Sequence, residues 1–276
     1  MITLVPVGGL ANRMRSIASG VSLSQKYGET LQIIWYKDTG LNCCFRELFQ
    51  PLLLSDVNIR EATKLDMLLY DRPRKKNFQV PRFFQQFLFD TCLYERDART
   101  QTDNEFDYCE WSHTFQRKYI ASYNSFFPAT PALFHKLFIP VQLVQDKIQE
   151  YVSQFGVHTI GIHIRRGDHQ TAISQSPLKL FIQQMDKELE QQESTFFLAT
   201  DSEEEKQTLL HRYGDRIITT SQPAHRNSIA GMQQAVTELY TLAATQKIIG
   251  SYKSSFSEIA ATLSGCPLIT LSLIHI

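Results

Sequence analysis

The chain has 276 residues, 43% of them hydrophobic, and its 28 basic and 28 acidic side chains give a formal net charge of zero. A chain of this length buries a large core and stands where single domains begin to divide into two. The neutral balance excludes a global positive field that would draw the protein onto nucleic acid or an anionic membrane, so any anionic ligand must be held by a local constellation. Five cysteines (Cys43, Cys44, Cys92, Cys109 and Cys266) form an odd set with no C-x-x-C pair. That set argues against a disulfide framework and a zinc site, and it reads as buried free thiols. The opening Met1 to Gly9 lacks a charged leader region, and no apolar run approaches the roughly 20 residues of a membrane span. A cytoplasmic protein without a membrane span is expected.

The first half opens with a strand at Thr3 to Val7, a Gly8-Gly9 turn, a helical stripe of Leu10, Met14, Ile17 and Val21, and a second strand at Leu31 to Tyr36. Residues 41–130 are rich in aromatics and mix helical and extended fragments whose strand order is not legible. A helix from about Val141 to Phe155 is expected to bridge two domains, 1–145 and 146–276. The second half alternates strand and helix, the pattern of a parallel sheet covered on both faces. A strand at Thr159 to Ile164 precedes a helix capped by Ser176, with Pro177 in its first turn and Leu178, Phe181, Ile182, Met185 and Leu189 along one face. A strand from Thr195 ends in Thr200-Asp201, and Glu203 to Tyr213 reads as helix. Arg216 to Thr220 is a short strand, followed by a helix carrying Ile229, Met232, Val236, Leu239 and Ala243. A strand at Lys247 to Gly250, a helix at Ser255 to Ser264 and a strand at Pro267 to Leu273 complete an α/β unit with a parallel sheet of about five strands.

In Ile160-Gly161-Ile162-His163-Ile164-Arg165 the strand's period of two sets the isoleucines on one face and His163 with Arg165 on the other. Both polar residues fall at the carboxyl end of a parallel strand, where open α/β sheets bind ligands. Arg165 and Arg166 offer planar bidentate donors to a diphosphate, Gly167 allows close backbone approach, and Asp168 would hold a guanidinium. A strand-end ion pair of Arg166 with Asp168 beside a core histidine reads the same residues without a ligand. Ser255 and Glu258 have capping-box spacing, which opens a helix N-terminus either as an anion site or as a plain cap. Gly8-Gly9 followed by Asn12 and Arg13 fits neither the dinucleotide fingerprint nor the P-loop. It is read as a tight turn, or as a loop whose Gly9, Asn12 and Arg13 point out toward a donor diphosphate. Asp201 and Glu238 can accept from a guanine edge or a ribose hydroxyl, or can be helix decoration. Arg72 to Lys76 with Arg82 reads as a solvated loop or a contact to an anionic glycan, and Phe83, Phe84, Phe87 and Phe89 as core.

Four peptides, in order, carry a family resemblance. His163-Ile164-Arg165-Arg166-Gly167-Asp168 resembles the H-x-R-R-x-D peptide of the α1,2-, α1,6- and protein O-fucosyltransferases, and Gly8-Gly9-Leu10-Ala11-Asn12-Arg13 is similar to their N-terminal glycine-rich loop. Phe197-Leu198-Ala199-Thr200-Asp201 resembles their third peptide. Glu238-Leu239-Tyr240, Ile249-Gly250-Ser251 and Ser254-Ser255-Phe256-Ser257 together resemble their last, with most similarity to the nodulation and core α1,6 branch. The resemblance implies a GT-B-like fold of two Rossmann-like domains, the first on the acceptor side and the second binding a GDP-sugar. It implies GDP-fucose as donor substrate, transfer with inversion to a glycan acceptor, and neither metal nor other cofactor. By position it implies that Arg165 meets the β-phosphate and assists its departure, that Arg166 supports that loop, that His163 and Glu238 meet guanine, and that Ser254 and Ser255 meet the phosphates. Core α1,6 enzymes carry an acidic residue soon after the arginine peptide, whereas Thr171 to Gln175 contains none. The general base is therefore unassigned, with Asp168, His169 and Asp201 as candidates and uptake of the proton by the departing phosphate as the alternative. The end, Leu271 to Ile276, reads as a strand without the closing helix common in two-domain transferases. Two other readings stand beside the transferase: a GDP-sugar or glycan binder that has lost catalysis, and a histidine phosphatase suggested by Arg166 to Thr171 with its residues in the wrong order.

Overall fold

The computed structural model describes all residues except 96, 99–105, 168, 169, 222–224 and 276. Two units emerge, Met1–Ile139 and Pro140–Ile276. The first runs β1 (Ile2–Pro6), α1 (Leu10–Tyr27), β2 (Leu31–Trp35), β3 (Val57–Glu61), α2 (Asp66–Leu69), α3 (Val80–Leu88), β4 (Thr91–Leu93), α4 (Tyr108–Thr114), β5 (Lys118–Ser122) and α5 (Pro131–Leu137). Its five strands form one parallel sheet in the order β3-β2-β1-β5-β4. The region whose strand order the sequence left open thus supplies β3, β4 and β5.

The second unit runs α6 (Gln142–Val152), β6 (Thr159–Ile164), α7 (Gln170–Gln175), α8 (Leu178–Gln191), β7 (Thr195–Thr200), α9 (Glu203–Tyr213), β8 (Ile217–Thr219), α10 (Ile229–Ala243), β9 (Ile248–Ser251), α11 (Ser255–Ser264) and β10 (Leu268–Leu271). The sheet is again parallel, in the order β10-β9-β6-β7-β8. Helix α6, expected to bridge the halves, belongs to this unit and packs on α10. The strand alternation holds: Ile160, Ile162 and Ile164 join Phe181, Met185, Phe196 and Leu198 in a buried cluster, while His163 faces α11. Burial of these side chains at roughly 1.5–3 kcal/mol each is what fixes the register of β6. In the second unit the chain winds outward from β6 in both directions, whereas in the first it runs from β1 out to β3, crosses to the far edge at β4 and returns inward to β5 beside β1. The order reverses between β1 and β5 in one sheet and between β6 and β9 in the other, and the carboxyl ends of those strand pairs are where such sheets bind ligands.

Several local readings need correction. Ser176 is not a cap: Pro177 occupies the N-cap position of α8, and the Ser176 hydroxyl instead donates to the Leu271 carbonyl (2.6 Å) and accepts from the Tyr252 N–H (2.8 Å). Ser254, not Ser255, is the N-cap of α11, and its side chain makes no capping bond. Of the four phenylalanines read as core, Phe89 is buried and Phe84 half-buried, but Phe83 and Phe87 are exposed. The five cysteines are free; Cys43 and Cys44 are buried, whereas Cys109 is exposed.

Candidate functional site

The switch point of the second sheet is lined by residues that follow β6 and β9. Parallel pairing sets His163 beside Ala199 on one side and Gly250 on the other, so Arg165, Asp201 and Ser251 emerge together at the carboxyl edge. The Arg165 N–H donates to the Ser251 hydroxyl (2.9 Å), which closes the end of β6 onto β9. The Arg165 guanidinium donates to Asp201 Oδ2, and the Arg166 N–H donates to Asp201 Oδ1 (2.6 Å), which closes the other side onto β7. Arg166 turns away and donates through Nε to Glu205 Oε1 (2.6 Å) and through Nη1 to the Arg165 carbonyl (3.0 Å). Two arginines of like charge are thus held side by side by two carboxylates from β7 and α9.

Gly167 completes this turn. Its φ of +41° lies in the left-handed region, and a Cβ there would sit 2.8 Å from Asp201 Oδ2. Only glycine combines that backbone with the carboxylate so close. Asp168, expected to steady a guanidinium, and His169 lie outside the described residues; Asp201 and Glu205 perform that task here. Asp201 is also a poor candidate for a general base, since both of its oxygens already accept from the arginine turn.

His163 is buried, its Nδ1 2.7 Å from Ser257 Oγ and 3.3 Å from Ser254 Oγ, and its ring stacks on Phe256 (4.8 Å between centroids, 29° between planes). Burial, aided by the nearby Arg165 charge, pulls its pKa down to about 3. The imidazole is neutral at physiological pH. Its Nδ1 shares a hydrogen bond with the Ser257 hydroxyl and has the Ser254 hydroxyl within reach. The Ser254 hydroxyl, which makes no capping bond, is the second of these partners, so the amino end of α11 is tied to β6 through the histidine. Helix α11 consequently points its first-turn N–H groups and partial positive charge at the carboxyl edge where Arg165 emerges.

Glu238 on α10 is buried, and its Oε1 accepts from Thr220 Oγ1 (2.7 Å) and Gln234 Nε2 (3.5 Å). Burial pushes its pKa up to about 7, against the stabilising hydrogen bonds from Thr220 and Gln234. Lys206 reaches the Thr220 carbonyl (2.7 Å) and brings a cation to the same corner. This carboxyl is poised to ionise fully when a ligand offers it further N–H donors.

At the carboxyl end of β1, Gly8 turns with φ +86° and Gly9 is the N-cap of α1 with ordinary extended backbone. Arg13, expected to point out of the first turn, is instead fully buried. It donates to the Gly8 carbonyl (2.8 Å), the Tyr36 carbonyl (2.5 Å) and Asp38 Oδ1 (2.9 Å), and lies over the Trp35 ring (4.8 Å). All of this holds the glycine turn against the loop after β2, so in place of pointing outward Arg13 shapes the turn from within. Asn12 is half-buried, and its Oδ1 finds no partner among the described residues. Arg165, Asp201, His163, Ser254, Ser255 and Glu238 belong to the second unit, whereas Gly9, Asn12 and Arg13 belong to the first.

Four residues of this constellation were given no role from the sequence: Glu205 and Thr220, which lie outside the quoted peptides, and Ser251 and Ser257, which lie within the last of them. Each sits next to a residue that was singled out, either in the parallel register or one helical turn into the next element, and that adjacency was the available signal.

No protein-family model matches the chain, and no curated protein matches it by sequence. Solved structures do match it. The Bradyrhizobium fucosyltransferase NodZ superposes with a TM-score of 0.67 at 18% identity, over 99% of this chain and 95% of that one. NodZ α1,6-fucosyltransferase soaked with GDP-fucose gives 0.64 at 16% identity, over 95% and 92%. Arabidopsis thaliana FUT1 in complex with GDP gives 0.66 at 15% identity, over 98% of this chain and 70% of that one. The chain shares the GT-B-like fold of these fucosyltransferases, with two Rossmann-like units.

Proposed function

We propose that the protein is a glycosyltransferase that binds GDP-fucose at the carboxyl edge of the second sheet and transfers fucose to a hydroxyl of a glycan acceptor. The observation that carries this reading is the Arg165-Arg166-Gly167 turn, held by Asp201, Glu205 and Ser251 beside the amino end of α11. A diphosphate there meets a guanidinium already fixed in direction and a helix terminus already aimed, so neither has to reorganise as charge develops on the leaving group. Arg165 is assigned to the β-phosphate, and Ser254 and Ser255 to the phosphate end of the site. Glu238 is assigned to the guanine N–H donors, with Thr220 and Gln234 orienting its carboxyl and neutral His163 setting the position of α11.

In the transfer, the acceptor oxygen forms a bond to the sugar's anomeric carbon from the face opposite the diphosphate. The carbon–oxygen bond to the β-phosphate breaks, and its electron pair leaves with GDP. Inversion follows from that in-line geometry. Because Asp201 is committed to the arginine turn and the diphosphate departs from the opposite face, no protein base is assigned and the acceptor proton passes to solvent as the new bond forms. Neutralisation of the leaving group by Arg165 and the helix terminus gives a route that calls for no metal ion. Release of GDP from GDP-fucose in the presence of a glycan mixture tests the reading, with Arg165→Ala as control. Acceptor-dependent release that the variant loses supports it. Binding of GDP-fucose with no transfer to any glycan would instead make the protein a GDP-sugar binder, and cleavage of simple phosphate esters would make it a phosphatase.

A further inference from the structure

Helix α3 carries a second feature, confined to the first unit. It enters through two consecutive non-glycine residues in the left-handed region, Phe78 at φ 53° and Gln79 at φ 57°. Such backbone costs of order 1 kcal/mol or more per residue and is retained where it has a use. Here it holds Phe78 out at 88% exposure, ahead of Phe83 at 61% and Phe87 at 65%. Phe83 and Phe87 lie one helical turn apart and touch edge to face (5.5 Å). The opposite side of the helix is firmly anchored. Pro81 is buried, and the buried Gln85 donates to the Leu69 carbonyl (3.1 Å) and the Asp71 carbonyl (2.8 Å) and accepts from the Tyr94 hydroxyl (2.9 Å). The outward phenylalanines therefore belong to a rigid element with its other face already satisfied.

The charge around this face is one-sided. Residues 72–89 hold five basic side chains and no acidic one. Arg72 pairs with Glu95 and Arg74 with Asp71. Lys75, Lys76 and Arg82 are exposed, and no ion pair is seen for them among the described residues. Cations ringing exposed aromatics on an amphipathic helix match a surface whose outer layer is anionic and whose next layer is hydrocarbon. Two copies of the chain joined through this patch by a two-fold axis would instead set the three cations of one copy against those of the other. No helix among the described residues is long and apolar enough to cross a membrane. The fit is to a protein lying on a bilayer.

We propose that α3 and its preceding turn form a docking surface for an anionic lipid bilayer, with Phe78, Phe83 and Phe87 entering the acyl boundary and Lys75, Lys76 and Arg82 meeting lipid phosphates. The surface is local, consistent with a chain of zero net charge, and stands whether or not the GDP-sugar reading holds. Co-sedimentation of the full chain with phosphatidylcholine vesicles, with and without phosphatidylglycerol, tests it. The wild type should pellet with the anionic vesicles and partition at least tenfold less onto neutral ones or at high salt. Combined Phe78→Ser, Phe83→Ser and Phe87→Ser should lower partitioning more than tenfold, as should combined Lys75→Glu, Lys76→Glu and Arg82→Glu, at unchanged unfolding temperature. Should a combined variant fail to fold, Phe78→Trp provides a second readout at the most exposed position, with its emission shifting to the blue on anionic vesicles. A wild type that stays in the supernatant at low salt overturns the proposal, as does a charge-reversed variant that still pellets or an indole emission that does not move. A dimer dissolved by the serine substitutions, without vesicle binding, would overturn it in favour of a contact between copies.

Discussion

Asp201, at the end of β7, binds both the side chain of Arg165 and the backbone of the residue after it, so one carboxylate fixes the guanidinium and the turn that carries it. In the parallel register Ile164 lies opposite Thr200, which places these two residues side by side as the strands end. The strength of this arrangement lies in direction more than in stability, since both side chains are partly exposed and a pair of this kind contributes at most about 1 kcal/mol.

Asp201→Asn keeps the size of the side chain and removes its charge. The expected result is a fold of nearly unchanged stability and a fall in transfer rate of about 10²-fold, the scale of a small misplacement of a catalytic group. Steady-state kinetics beside thermal unfolding checks this; equal losses of stability and activity would assign Asp201 a structural task alone.

Gly167→Ala adds a methyl where the backbone is left-handed and Asp201 Oδ2 lies 2.8 Å from the new Cβ. A destabilisation of about 1–2 kcal/mol is expected from the backbone alone, together with loss of GDP affinity as the carboxylate is displaced. Denaturant unfolding and calorimetric titration with GDP measure the two effects separately.

Glu238 gives a pH dependence with a defined sign. Its pKa is raised to about 7 in the folded protein from the ordinary 4.5, so the folded state holds a proton between those values that the unfolded state has released. Its contribution to stability is therefore fully present below 4.5 and is lost as pH rises through about 7. His163, lowered from 6.5 to about 3, acts in the opposite sense: its contribution is present above 6.5 and is lost as pH falls toward 3. Between 4.5 and 6.5 the two nearly cancel. Glu238→Gln removes one side of that balance, so wild type minus variant stability should rise by roughly 1 kcal/mol per pH unit as pH falls from 7 to 4.5. Urea unfolding across that range measures the difference; parallel curves would show that Glu238 does not titrate there. GDP affinity, if Glu238 accepts from guanine, should increase through the same pH range and level off above it.

Arg13→Lys tests the first unit by itself. A lysine cannot donate at once to the Gly8 and Tyr36 carbonyls and Asp38, so a loss of about 3 kcal/mol is expected, typical of breaking a buried charged network. Equilibrium unfolding that moves by less than 1 kcal/mol would contradict the role given to this arginine.

The second unit was readable because its central strands β6, β7 and β9 are buried on both faces and its helices carry clear apolar stripes, as the isoleucines of β6 and the Phe181-Met185 face of α8 show. The first was readable only as far as β2. Beyond it, β4 has three residues and α2 has four, too short for either period to register, and the fold there rests on contacts such as Gln85 with the Asp71 carbonyl. The arginine peptide could be placed at a strand end from alternation alone. Its supports could not, since Asp201, Glu205 and Ser251 come from elements whose adjacency is a property of strand order. Arg13 was misjudged for the same reason: the groups that draw it inward, Tyr36 and Asp38, lie in the loop that follows β2. Ser254 misled by one position, because its hydroxyl serves His163 and leaves the helix end uncapped by side chains.

A guanosine diphosphate site at the carboxyl edge of the second sheet is tested most directly by thermal unfolding with GDP, GDP-fucose, GDP-mannose, UDP and ADP, before any acceptor is known. A ligand at about 100 times its dissociation constant adds roughly 2.7 kcal/mol to the stability of the state that binds it. A clear upward shift is expected with GDP and GDP-fucose, little with UDP or ADP, and loss of the shift in Arg165→Ala. Equal shifts with all nucleotides, or a shift that the Arg165 variant retains, would contradict it.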